Sequence, residues 1–133
     1  MVVEGEDCGR AALQTLWDEE EGLGAFMGSE RVRLTVDTGV CRFPATVECW
    51  VEGLNVRCSI TSKCKHVQEF GAALEPIGMM DIMTMPFSEN KVYQAGGRTL
   101  KHSTCPMPMA VLKGMEAAAQ LALKRDVTVI FDK

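Results

Sequence analysis

From residue 31 onward the chain alternates. Val32, Leu34 and Val36 share one parity and Arg33 and Thr35 the other. Cys41, Phe43, Ala45, Val47, Cys49 and Val51 then oppose Arg42, Thr46, Glu48 and Trp50, and Leu54, Val56, Cys58 and Ile60 oppose Asn55, Arg57 and Ser59. A period of two sends successive side chains to opposite faces of a pleated strand. Runs separated only by Thr38-Gly39 and by Gly53 leave no room for a parallel crossover, so they predict an antiparallel meander with one apolar and one wet face. The apolar face must be covered by another layer.

Two stretches downstream are built to cover it. Val67, Phe70 and Leu74 recur at helical spacing after Ser62, a good N-cap, until Pro76 ends the run. A second helix is expected to open at Cys105-Pro106, capped by Ser103 or Thr104, and to run through Ala110, Val111, Met115, Ala118, Ala119 and Leu121. Val127-Thr-Val-Ile-Phe131 reads as a closing strand. Near the start, Ala12, Leu13, Leu16 and Trp17 predict an amphipathic helix over Gly9 to Glu21, and the acidic run at its end opposes the helix dipole.

The expected architecture is therefore a two-layer α+β fold in one domain spanning residues 1–133. An antiparallel sheet, the three-strand meander plus a C-terminal strand, carries two helices on one face; residues 1–30 form an N-terminal helix and loop, and 31–133 the α+β core. The connection from Ile77 to Lys101 is Met-dense, with Gly96-Gly97 read as a turn between short extended pieces, and connectors of that length are often functional.

Composition narrows the function. At 133 residues, 47% of them apolar and 24% charged, the chain suits one globular domain. A net charge of −4 argues against a nucleic-acid surface, which is normally basic. No apolar run approaches the roughly 20 residues of a membrane span, and the acidic start, Met-Val-Val-Glu-Gly-Glu-Asp, is unlike an export signal. A cytoplasmic protein is expected, without membrane or nucleic-acid partners, acting on a protein client or as a homo-oligomer. In a reducing compartment its six cysteines are core thiols, ligands or nucleophiles rather than disulfides.

Two cysteines differ in kind from the others. Cys64, in Thr61-Ser-Lys-Cys-Lys-His66, and Cys105, in His102-Ser-Thr-Cys-Pro106, each open a predicted helix, where free N–H groups and the positive dipole end favour thiolate over thiol. The only two histidines, His66 and His102, lie beside them. If both helices start at one edge of one sheet, Cys64, Cys105, His102 and His66 have the composition of a zinc or iron–sulfur site, with Cys41 at the hairpin mouth as reserve ligand. Three other readings compete with it: two capped helices that merely contain a Cys, a thiol-dependent redox protein in which Asp81 or Glu69 orients a Cys/His pair, and a protein-interaction module using the Met-rich loop. Cys49 and Cys58 lie on the apolar parity and read as small buried hydrophobes. Met79, Met80, Met83, Met85, Met107 and Met109 read mainly as filling for an irregular core. Lys63, Lys65, Arg98 and Lys101 flank both Cys segments as solvated cations able to lower thiol pKa values.

The order of elements also carries a resemblance. Three antiparallel strands, a Cys opening one helix, a spacer, then a His and a Cys opening another is similar to the U-type iron–sulfur scaffold proteins. That resemblance implies cluster or zinc ligation by Cys41, Cys64 and Cys105, with His102 near the family's His. Here Cys41 is followed by Arg42-Phe43-Pro44 rather than set in a Gly-rich loop with an adjacent Asp. The stretch His102-Ser-Thr-Cys-Pro-Met-Pro-Met-Ala-Val-Leu also resembles the Thr-Ser-Cys-Pro-Asp signature of a small domain found alone or at the end of some vitamin B12-dependent ribonucleotide reductases, without its Asp. Most of all the chain resembles an uncharacterised family of small proteins from anaerobes.

Overall fold

The structure is a computed structural model and describes residues 31–133. The helix expected over Gly9 to Glu21 lies outside the described residues. The meander forms as the alternation predicts: β1 (Arg31–Val36), β2 (Ala45–Glu52) and β3 (Asn55–Ser62) pair antiparallel in chain order. Val36 faces Ala45 and Ala45 faces Ser62, so the β1–β2 connection and the exit of β3 share one end of the sheet. At the opposite end Glu52 pairs with Asn55 across a two-residue turn, and Gly53 takes the positive φ of 66° that such a turn demands. Val36, Val47, Cys49 and Val56 are fully buried on one face. On the other face Arg31 lies over its cross-strand partner Trp50 at 3.9 Å, and Arg57 pairs with Glu52 at 2.8 Å.

Three helices cover the apolar face. α1 (Lys65–Ala73) packs on β3, α2 (Lys91–Thr99) packs against the other two helices, and α3 (Met107–Ala118) lies across β1 and β2. Phe70, Val92, Met107, Val111 and Met115 fill the space between helices and sheet.

Several sequence expectations are corrected. The fourth strand is not Val127–Phe131, which has no ladder partner; it is the two-residue β4 (Ile77–Gly78), paired with Asn55 and Val56 of β3. β-branched residues favour extended backbone, yet a strand needs a free edge within reach, and Val129, Ile130 and Phe131 remain exposed. The residues around Gly96-Gly97 form not a turn between extended pieces but the helix α2. Asn90 caps it by accepting from the Val92 N–H at 3.0 Å. Gly96 is required there by close packing, since a Cβ at this position would stand 3.0 Å from Pro108 Cγ. Cys41 and Phe43 precede β2 instead of belonging to it, because Gly39–Cys41 form a 3-10 turn that Arg42 closes in the left-handed region at φ 60°.

Candidate metal centre

The register brings two of the predicted sulfurs to one place in the fold. Cys41 ends the turn between β1 and β2, and Cys64 follows β3 by two residues, both at the Val36–Ala45–Ser62 end of the sheet. Cys105 lies two residues before α3. Its thiol is pushed up from its ordinary pKa first by burial; charge on Cys41 and on Cys64 adds to the rise, and the Met107 backbone N–H donating to the sulfur opposes it. The three thiols are half-buried and unbridged.

Each sulfur is held differently. The Cys41 thiol donates to Thr38 Oγ1 at 2.9 Å, and that hydroxyl donates onward to the Phe43 carbonyl at 2.8 Å. Cys64 is the N-cap of α1, its N–H bound to Ser62 Oγ at 3.1 Å and its carbonyl accepting from Gln68 at 3.0 Å. Ser62, the expected N-cap, thus lies two residues before the N-cap itself and holds the backbone that leads into the helix. At Cys105 the N–H donates to the His102 carbonyl at 3.1 Å, closing a tight turn that aims the sulfur at the first N–H of α3.

The two histidines differ in exposure. His102 is exposed and touches the site only through its backbone. His66 is half-buried, and its Nδ1 is buried without a hydrogen-bond partner. That atom carries either a lone pair or a proton left unmatched, which costs free energy in a dry place. Lys63, Lys65, Arg98 and Lys101 are all exposed, as expected of solvated cations. Asp81 is engaged by Lys91 Nζ at 3.3 Å and Glu69 is exposed, so neither orients a Cys/His pair. Among the described residues no three of His, Cys, Asp and Glu are gathered tightly enough to enclose a metal ion. Cysteine thiolates are the ligands that thiophilic cations prefer.

The methionines divide. Met107 and Met115 are fully buried and Met79 and Met109 pack against the core, whereas Met80, Met83 and Met85 are exposed, together with Phe87. The pairing that sequence reasoning missed is Cys49 with Cys58, directly opposite one another in β2 and β3. Counting residues out from the Glu52–Asn55 turn would have found it.

The chain belongs to the family of unknown function DUF6951, which matches residues 32–131. No curated protein and no solved structure matches it. No helix among the described residues is long and apolar enough to cross a membrane.

Proposed function

We propose that this is a non-enzymatic cytoplasmic protein that binds zinc or an iron–sulfur cluster through Cys41, Cys64 and Cys105, in the manner of a scaffold that passes its cargo to a protein client. What supports the reading is that Cys41, in the turn before β2, and Cys64, the N-cap of α1, share one end of the sheet, with Cys105 two residues before α3 as the third sulfur. Thiolates in such a group repel one another, and a soft cation reverses the sign of that interaction. Binding requires the Cys41 thiol to leave Thr38 and give up its proton, so affinity for metal rises with pH. His66, with its unmatched buried nitrogen, is the first candidate for a further ligand, ahead of the exposed His102. The resemblance to U-type scaffolds in the order of these cysteines points the same way.

Elemental analysis and a UV–visible spectrum of protein purified without oxygen test the reading. Stoichiometric zinc, or iron with sulfide and visible absorption, is expected, and Cys64→Ser and Cys105→Ser should each lose most of it while keeping the far-UV spectrum of the parent. Equal metal content in parent and variants, or none in any, would refute it.

A second reading, a pliable partner surface, draws on the exposed Met80, Met83, Met85 and Phe87. Under that reading both Cys→Ser variants keep their partner, and Met83→Ser with Met85→Ser loses it.

A further inference from the structure

Cys49 and Cys58 are not used by the proposed metal centre, and they occupy an unusual relation. They are direct cross-strand partners on the covered face of the sheet, Cys49 fully buried and Cys58 half-buried. We propose that Cys49 and Cys58 form a reversible cross-strand disulfide, with Cys58 as the sulfur that meets a hydroperoxide oxidant and Cys49 as the sulfur that resolves it.

The geometry supports this in two steps. Residues directly opposite in an antiparallel pair have Cα atoms about 4.5–5.5 Å apart, inside the span that a disulfide tolerates. Their Cβ atoms stand about 4.5–5.5 Å apart, wider than the roughly 3.8 Å that a relaxed disulfide prefers. The bond can therefore form without moving the strands far. The roles follow from access: Cys58 is half-buried, whereas Cys49 is fully buried. Each sulfur also biases the other, shifting Cys58 toward the thiolate and Cys49 toward the protonated form, to which burial adds. The more acidic sulfur is also the one with access to solvent.

The reaction balances with hydrogen peroxide as oxidant. The Cys58 thiolate attacks one peroxide oxygen, the O–O bond breaks, and the departing hydroxide takes a proton from water or buffer and leaves as water. Cys58 is then a sulfenic acid. Cys49 sulfur attacks Cys58 sulfur, the S–O bond breaks, and the hydroxide leaves as a second water with the Cys49 proton. Two thiols lose two electrons in all and one peroxide gains them.

The bond would be felt by α3. Cys49 Sγ stands 4.0 Å from the Val111 carbonyl and fills the space beside Gly114, where an added Cβ would lie only 2.9 Å from it. Turning this sulfur toward Cys58 withdraws it from the underside of the helix that Cys105 precedes. The proposal does not depend on metal binding.

Limiting hydrogen peroxide, followed by alkylation and peptide mapping of the unaltered full-length chain, tests it directly. The expected product links the Cys49 and Cys58 peptides, is lighter by two hydrogens and reverts with dithiothreitol. Hydrogen exchange of the Val111–Met115 amides should rise on oxidation. The linkage should persist in a Cys41→Ser, Cys64→Ser, Cys105→Ser chain, which separates this pair from the metal reading, and in Cys49→Ser a sulfenic-acid probe should label Cys58. Cys49 and Cys58 both recovered as free thiols while other cysteines are oxidised, or Cys58 bridged elsewhere, would overturn the proposal.

Discussion

Asn90 shows how much one polar side chain can organise. It is buried, and each of its polar atoms is matched: Oδ1 accepts from Val92, and Nδ2 donates to the carbonyls of Ile82 at 3.1 Å and Thr84 at 3.3 Å. One residue thereby caps α2 and ties the Met-rich segment to it. Asn90→Ala removes a cap and strands two carbonyls, so a loss of about 2–3 kcal/mol is expected in chemical denaturation; a loss under about 0.5 kcal/mol would show that water replaces the amide without cost. Cys105 makes the second residue-scale prediction. In metal-free protein its alkylation rate should rise with pH at higher pH than for an ordinary thiol, and Cys41→Ser or Cys64→Ser should move that rise downward by removing a like charge. The stability consequence has a definite sign. The folded state keeps the Cys105 proton at a pH where the unfolded chain releases it, so this contribution is complete below the unfolded thiol pKa and is lost as pH rises toward the folded one.

At the scale of elements, what was legible and what was not divides by physics. β1, β2 and β3 were readable because burial on one face imposes a period of two, and a slip of one residue would turn Val32, Val47 and Val56 to water. α1 and α3 were readable from their apolar faces. α2 was not, because its buried side is made of Val92, Ala95 and Gly96, residues small enough to let Pro108 and Phe70 approach, and its adjacent glycines imitate a turn. That account separates the neighbours. At Gly97 an added Cβ meets nothing within 4 Å, so Gly97→Ala should stabilise by about 0.5–1 kcal/mol through helix propensity. At Gly96 the same change meets a rigid proline ring at 3.0 Å and should destabilise by about 1–3 kcal/mol. Thermal denaturation of the two variants decides it, and shifts of the same sign would contradict this packing. The stretch Val127–Phe131 failed in the opposite sense: its composition suits a strand, but pairing is a property of the neighbour as well.

At the scale of the molecule, the wet and dry faces of the sheet give the protein its direction, and its two ends divide the remaining work. One end is closed by tight turns and by β4. The other holds the β1–β2 turn and the start of α1, which deliver Cys41 and Cys64. Cys64 caps α1 as the sequence predicts, whereas Cys105, expected to open a helix, lies two residues before α3, whose N-cap is Pro106; which end of the sheet a helix begins at depends on tertiary packing and is not written in local sequence. Proximity in the chain placed both histidines with the sulfurs; in the structure His102 is exposed, while His66 is half-buried with an unmatched Nδ1. The most direct test of the central claim is X-ray absorption at the edge of the metal bound by the full-length protein. A shell of sulfur neighbours, at about 2.3 Å if the metal is zinc, is predicted, with one sulfur lost in each of Cys41→Ser, Cys64→Ser and Cys105→Ser; a shell of nitrogen and oxygen alone, unchanged by all three substitutions, would contradict it.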